Sequence, residues 1–426
     1  RVRASAASDV YKRQAFQGVA VIFRQLRRRF RPSEPPSAGR MRELEAAAEA
    51  ATVVMLAYYY HASALRLTLA ALLATGFALE SGERVNATGS YGILAVLAGL
   101  LRLSGIQRHL LHRYERNAAL CGTPDDRRFY FLYSSLHHTA FGDWERVEED
   151  ARRRVEVASG FADPYFGNVE LSLDAIVHYY RGRFALTRAA FEELRRRADR
   201  QHNRQHLAWA YYGMAESLLP LGLVHDAIPL LLTAQAALKE QHDNHSRLIC
   251  GGLLAIAYLR SGETHLALMA AKEVSDLVQA TPPNNMTSLE GYASAVEVWL
   301  GLAHAQPGER RRYHRAARRA LRILAQYAML YKIGRPRLWL YRGYLHWQGG
   351  SPRKAQRCWT RSLDRAEQLR MPYEIARAAT ALATHGSPSA AMAKRWTALA
   401  DAAFQQTGAS RNLSPMERGD HASGPS

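Results

Sequence analysis

Glycine recurs in this chain about every forty residues, and this spacing limits the possible folds more than any other feature. Seven glycines stand where the sequence predicts turns, at successive intervals of 37, 40, 40, 40, 46 and 42 residues. An interval of that length holds two helices of about 10–14 residues or somewhat more, with two short turns. We therefore predict antiparallel helix pairs stacked in series. The seven residues are Gly105, Gly142, Gly182, Gly222, Gly262, Gly308 and Gly350.

Small and aromatic residues hold constant positions around these glycines. Small residues let antiparallel helices approach to about 8–10 Å, and aromatic residues fill the space beside them. These positions are those of the tetratricopeptide repeat, which the sequence resembles, and similar offsets recur around Gly182, Gly222 and Gly262. The chain is thus predicted to be all-α, a tetratricopeptide-like superhelix of about eight antiparallel helix pairs. The last clear unit has Trp339, Gly343, Gly350, Ala355, Trp359 and Ser362 at the repeat positions.

The predicted repeat array occupies residues 40–407, with eight pairs up to about Arg370 and a partial unit from Met371 to Thr407. Residues 1–14 resemble translated sequencing adapter, and we interpret them as an assembly scar that replaces the true N-terminus. Residues 15–39 are predicted to form a helix and a proline-rich linker. Residues 408–426 are polar and rich in Gly, Ser and Pro, and are expected to form a disordered tail.

The net charge of +19 has two interpretations. Nucleic acid or an acidic surface would attract such a chain. Alternatively, 51 arginines against six lysines, with abundant Ala and Gly, indicate the codon bias of a GC-rich genome on solvated helix faces. We favour the second interpretation.

The cysteines and the apolar stretches indicate in which cellular compartment the chain would reside. The three cysteines, Cys121, Cys250 and Cys358, are far apart and form no CxxC or CxxH motif, which fits a reducing cytoplasm. Cys250 lies in an apolar helix and is expected to be buried and inert. The apolar stretch from Ala50 to Glu80 is interrupted by His61 and Arg66, so we predict two packed helices there and no membrane span.

No catalytic, cofactor or metal site is predicted. The chain has no Gly-Lys dipeptide and hence no phosphate-binding loop, and it lacks kinase H-R-D and D-F-G elements. His202 and His206 stand at i and i+4, but the intervening Asn-Arg-Gln lacks the glutamate of a metalloprotease helix. We therefore predict that this chain is not itself an enzyme.

Two surfaces are candidates for partner binding. A concave surface would present Trp209, Tyr212, Tyr344 and Trp347 as aromatic anchors for a protein or peptide, although packing between repeats explains any single one more simply. A basic surface would present Arg311, Arg315, Arg318 and Arg322, opposite an apolar stripe that begins at Tyr313. A solvated outer face is the simpler explanation for these arginines, and also for Arg195–Arg197.

Two blocks resemble a bacterial signalling family more specifically. The first runs from Ile333-Gly-Arg-Pro-Arg337 to Met371-Pro-Tyr-Glu374, and the second comprises Arg27-Arg-Arg-Phe30 and Leu56-Ala-Tyr-Tyr-Tyr60. They are similar to the tetratricopeptide tails of large class III adenylate/guanylate cyclases and serine/threonine kinases that carry an AAA-type ATPase. The resemblance implies a non-catalytic C-terminal region, whose chemistry would reside in a missing N-terminal portion.

The sequence therefore predicts protein–protein interaction or intramolecular regulation, with a protein, a peptide or an upstream domain as the partner. The sensor tail of an ATPase-type transcriptional regulator is a second hypothesis. A basic helical-repeat protein that binds nucleic acid is a third, which we do not favour from the sequence.

Overall fold

The structure, a computed structural model, describes residues 36–60, 64–81, 91–95, 98, 103–121, 124–157, 163–241, 243–386, 389–411 and 416. Within these ranges all regular secondary structure is helical, as predicted. The predicted scar at 1–14 and most of the helix and linker predicted for 15–39 lie outside them. The described residues group into two compact units. One comprises residues up to 138 together with 144–157, and the other comprises 139–143 and the residues from 163 onward.

The first unit contains five long helices in its described part. Tyr114 lies in its core, with its ring centroid 5.2 Å from that of Tyr130 and 6.1 Å from that of Tyr133. Trp144 is buried, as its place after a turn glycine suggests. No helix in the described ranges is both long and apolar enough to cross a membrane. The helices are α1 (Ala38–Tyr60), α2 (Ala64–Ser81), α3 (Ser104–Cys121), α4 (Pro124–Phe141) and α5 (Trp144–Val157).

The second unit consists of consecutive antiparallel helix pairs, six of them in the described residues. This arrangement confirms the predicted pairing. The first helices of the six pairs are, in chain order, α6 (Pro164–Tyr180), α8 (Arg204–Leu218), α10 (Asn244–Arg260), α12 (Leu289–Ala305), α14 (Arg335–Gln348) and α16 (Pro372–His385). The second helices are, in the same order, α7 (Phe184–Arg200), α9 (Val224–Leu238), α11 (Thr264–Ala280), α13 (Arg310–Leu330), α15 (Pro352–Gln368) and α17 (Ala390–Thr407).

Gly182 shows why glycine marks the turns inside the pairs. Its φ of 69° lies in the left-handed region, which a side chain disfavours. The N–H of Gly182 donates to the carbonyl of Tyr179, and the N–H of Arg183 donates to the carbonyl of His178, both at 2.9 Å. These bonds satisfy carbonyls that the end of α6 would leave without partners. Positive φ at Gly142, Gly222, Gly262 and Gly350 confirms four further predicted turns.

Two of the seven predicted turn glycines do not act in this way. Gly105 lies inside α3 and therefore does not form a turn. Gly308 lies in a short 3-10 helix, Pro307–Glu309, between α12 and α13. Because a 3-10 turn keeps negative φ values, this connection does not require glycine.

Contacts between small and aromatic residues confirm the repeat positions. A Cβ atom added at Gly343 would overlap the indole of Trp359, and one added at Gly213 would overlap the ring of Phe191. The indole Nε1 of Trp359 donates to the carbonyl of Leu340 at 3.2 Å, so the buried ring also satisfies its polar atom. Each glycine thus admits a large ring from the second helix of its own or the preceding pair.

The first and last pairs of the second unit touch each other. The ring centroids of Phe184 in α7 and Tyr373 in α16 are 5.4 Å apart. Gly182 lies against the side chain of Thr407 at the end of α17, and a Cβ there would be 2.5 Å from the Thr407 methyl. The array of six pairs therefore closes on itself.

The C-terminal part differs from the prediction. The expected partial unit is a complete antiparallel pair, α16 and α17. Residues 408–411 and 416, placed by the sequence in a disordered tail, contact the array. The N–H of Ser410 donates to the carbonyl of Pro220 at 2.8 Å, and His385 Nε2 lies 3.1 Å from the carbonyl oxygen of Met416. Ser410 and Met416 therefore have backbone partners in the array, which the polar composition did not reveal.

Candidate binding surfaces

Charged side chains from the first helices of the pairs meet at the centre of the second unit. Glu297 accepts hydrogen bonds from Arg260 Nη2 at 3.0 Å, from Arg377 Nη2 at 2.9 Å and from the Tyr341 hydroxyl at 2.6 Å. Burial alone would raise the pKa of Glu297, but Arg377 and Arg260 outweigh it and hold the pKa well below its usual range. The carboxylate is therefore charged, and it links α10, α12, α14 and α16.

Arg337 continues this cluster. Its Nε lies 2.6 and 2.7 Å from the two carboxylate oxygens of Glu374, and its Nη2 lies 3.4 Å from Glu290 Oε1. Unpaired burial would cost several kcal/mol for each ion, whereas mutual pairing offsets most of that cost. We call the whole group the inner network: Glu216, Arg260, Glu290, Glu297, Arg337, Tyr341, Glu374 and Arg377.

The inner network contains four carboxyl groups and three guanidinium groups. Burial raises the pKa of Glu216 well above its ordinary value, Glu290 raises it further, and Arg337 offsets only part of the shift. The surroundings of Glu216 therefore favour its neutral form. The cavity beside it has a volume of about 20 Å³, about what one water molecule needs. The space around the inner network is thus largely filled by side chains.

The inner network was not predicted from the sequence. A usable signal exists, since Glu216, Glu297 and Arg377 are isolated charges inside otherwise apolar helices. A charge at such a position is buried with a partner or points to a site. The partners, however, lie in other repeats, so the sequence alone did not connect them.

A cleft of about 860 Å³ opens elsewhere on the second unit. Three chain segments form it, namely the α6–α7 turn with the start of α7, the α15–α16 connection, and the end of α17. Its walls include Leu186, which is 51% exposed, and Ile375, which is half-buried. The charged lining residues are three arginines and one glutamate, Arg181, Arg183, Arg370 and Glu367. The cleft thus combines apolar walls with a cationic rim.

The four predicted aromatic anchors do not form one exposed row. Tyr344 is completely buried against Trp359, with ring centroids 5.3 Å apart, and Tyr212 is 9% exposed. Neither is available as an anchor, because both are buried in the core. Trp209 and Trp347 are half-buried. Trp347 stacks on His385 at 4.1 Å, and its role in binding remains a prediction.

The predicted basic helix has the expected amphipathic form. Tyr313, Ala317, Ala320, Leu321 and Leu324 are buried, which confirms the apolar stripe. Arg311, Arg315, Arg318 and Arg322 are exposed on α13. The ion pair on this helix joins Arg312 to Glu309 at 3.5 Å, and none of the four arginines pairs with a described carboxylate.

The two histidines of the i, i+4 pair have different surroundings. His206 is buried between Tyr165 and Trp209, with both ring centroids 4.7 Å away, whereas His202 is exposed in a turn. Burial lowers the pKa of His206 to about 4. No group of three or more His, Cys, Asp or Glu side chains in the described ranges could hold a metal ion. Cys250 is buried as predicted, and burial raises the pKa of its thiol to about 12.

No protein-family model matches the chain, and no curated protein matches its sequence. Its structure is similar to the crystal structure of a Rap protein in complex with competence and sporulation factor. The superposition has a TM-score of 0.60 and covers 86% of this chain and 99% of that chain, at 11% sequence identity. This likeness confirms the fold prediction, a tetratricopeptide-like array of helix pairs.

Proposed function

We propose that this chain is a binding protein whose second unit takes up an extended segment of a protein or peptide in the cleft. The observation that carries the proposal is the cleft itself, an 860 Å³ concavity with apolar walls and a cationic rim. Its volume lies within the range of about 300–1,000 Å³ that is typical of ligand pockets. The structurally similar Rap protein, solved in complex with another molecule, adds support from a shared fold.

The lining chemistry defines the proposed ligand. Leu186 and Ile375 would contact an apolar side chain, because both lie in the cleft wall and keep solvent-accessible surface. Arg181, Arg183 and Arg370 would favour a neighbouring carboxylate, since arginine forms bidentate hydrogen bonds with carboxylates. The ligand is therefore a segment in which an apolar residue adjoins Asp, Glu or a C-terminal carboxylate.

Selection from a random peptide library, followed by titration calorimetry with the selected peptides, tests this proposal. Leu186→Arg should weaken binding at least tenfold, because it places a bulky charge in the apolar wall. Leu232→Arg is the matched control, since Leu232 is 44% exposed on α9 and the change in net charge is the same. Equal binding by the two variants, or selected peptides that lack the predicted pattern, would show that the cleft is not the binding site.

A second proposal concerns the polypeptide to which this array would belong. We propose that this array regulates an upstream ATPase, cyclase or kinase of the same polypeptide in a reducing cytoplasm, and that the array itself catalyses no reaction. The similarity of the two sequence blocks to tetratricopeptide tails supports it. The sensor tail of an ATPase-type transcriptional regulator is the alternative. The full reading frame distinguishes them, because cyclase or kinase motifs upstream support the first and a helix-turn-helix supports the second.

A further inference from the structure

A long segment of the second unit contains no acidic residue. Residues 310–363 include 13 arginines and two lysines but no Asp or Glu. The segment forms α13, α14 and most of α15, so its charges belong to three packed helices. Whereas a basic run in an extended chain is dispersed, these cations are held in a fixed arrangement.

On α13 the cations form a row. Arg311, Arg315, Arg318 and Arg322 follow at i, i+4, i+7 and i+11, and all four are exposed. With a rise of 1.5 Å per residue, the row is about 16 Å long. The opposite side of the helix is buried, so the row of arginines faces solvent.

Cations from α14 and α15 extend this row. The guanidinium groups of Arg342 and Arg361 lie 4.7 and 4.9 Å from the ring centroid of Trp339, so one indole holds both. Burial lowers the pKa of His346, and Lys354, Arg342 and Arg318 lower it further. These three charges therefore lie near a single imidazole, although they come from three helices. We call the combined surface the basic face: Arg311, Arg315, Arg318, Arg322, Arg342, Lys354 and Arg361.

Codon bias does not explain the lack of acidic partners. Helix α7 is also rich in arginine, yet there Arg196 Nη2 and Arg197 Nε lie 2.9 and 2.8 Å from Glu193. At the next turn Arg204 pairs with Glu240 at 3.0 Å. Codon bias applies to both regions equally, so the difference lies in the carboxylates. The basic face therefore carries positive charge that described carboxylates within ion-pairing distance do not compensate.

We propose that the basic face binds the phosphate backbone of nucleic acid without sequence specificity. Neutralisation of phosphates by Arg and Lys releases counterions, which supplies most of the affinity of such binding. A protein partner fits less well, because the core of a protein interface is apolar and depleted in charge. Among the described residues of this segment, the large apolar side chain that is exposed is Met329, beyond the row near the end of α13.

The test is fluorescence anisotropy with labelled single-stranded and duplex DNA of random sequence over a series of salt concentrations. The variant R311Q/R315Q/R318Q/R322Q is compared with R196Q/R197Q/R200Q/R204Q. Both lose four positive charges from exposed or half-buried helix positions, so the change in net charge is the same. The variants differ in location and in ion pairing, since Arg196, Arg197 and Arg204 have carboxylate partners. The first variant should lower the slope of log affinity against log salt by about 3–4, whereas the second should change affinity only a few-fold.

Equal losses in the two variants would mean that net charge alone attracts DNA, and the proposal would be wrong. It would also fail if neither DNA bound at about 50 mM salt. Poly-glutamate that binds as tightly as DNA would instead assign the face to acidic proteins. Circular dichroism confirms that each variant is folded. Leu186→Arg should leave DNA binding unchanged, so this test and that of the cleft succeed or fail independently.

Discussion

Arg377 and Glu297 are 80 positions apart in the sequence, yet Nη2 of the arginine lies 2.9 Å from Oε2 of the glutamate. Their side chains are 0% and 2% exposed. The contact joins α16 to α12 across the inner face of the closed array. The pairing of these charges therefore depends on how the fourth and sixth helix pairs pack around the fifth.

Arg377→Met should destabilise the protein strongly, because it leaves a buried carboxylate with one guanidinium fewer. Loss of one partner of a buried ion pair costs about 3–5 kcal/mol. Arg197→Met, which removes a partly exposed partner of Glu193, should cost less than about 1 kcal/mol. Urea unfolding of both variants measures the difference. Equal free energies of unfolding would show that the inner network does not stabilise the fold.

Stability should decrease as pH falls from about 6.5 to about 4. Burial lowers the pKa values of His206 and His245 to about 4, whereas the unfolded chain binds these protons near pH 6.5. Between these values the unfolded state binds more protons, so acidification favours unfolding. His206→Gln should remove about one proton from the pH dependence of the free energy of unfolding. An unchanged slope in His206→Gln would contradict the assignment.

Gly182→Ala should destabilise the closure of the array. The alanine would have to adopt the left-handed backbone conformation of Gly182, and its methyl group would overlap the side chain of Thr407. Gly262→Ala is the control, because its φ of 88° is equally unsuitable but no atom lies within 4 Å of the new Cβ. Thermal unfolding should show a larger loss for Gly182→Ala, and Thr407→Ser, which removes the overlapping methyl, should reduce the excess. A loss no larger than that of Gly262→Ala would argue against a close fit.

Cys250 should resist alkylation in the native protein. Its thiol is buried, donates to the carbonyl of Leu231 at 3.3 Å and has a pKa raised to about 12. Only the thiolate reacts quickly, so iodoacetamide should modify Cys250 at the rate of unfolding. Mass spectrometry after timed exposure, with and without urea, measures this rate. Rapid modification without urea would show that α10 opens locally.

The sequence predicted the parts of the fold that depend on near neighbours. Glycine spacing located five turns with positive φ, and the apolar stripe of α13 was identified from its period alone. Prediction from the sequence failed where the same short-range pattern is compatible with two structures. Gly105 could begin a turn or lie in a helix, and the difference depends on packing. Tyr344 could face solvent or the core of the array, and it packs on Trp359 in the second helix of its own pair.

The candidate sites were still less predictable from the sequence than the fold. The cleft combines residues near positions 183, 370 and 407, and no local pattern relates these positions. The basic row on α13 was visible from its spacing. Its extension to Arg342, Lys354 and Arg361 required the packing of α13, α14 and α15.

Paired helices with glycine turns follow from local sequence patterns, because helix periodicity and left-handed turns are properties of a few consecutive residues. The contact between the first and last pairs of the second unit depends instead on packing along the whole array. Each interface adds a small rotation, and the sum over all interfaces sets where the last pair lies. That sum brings Arg377 to Glu297 and Thr407 to Gly182, so it determines what fills the inner face and where the cleft forms.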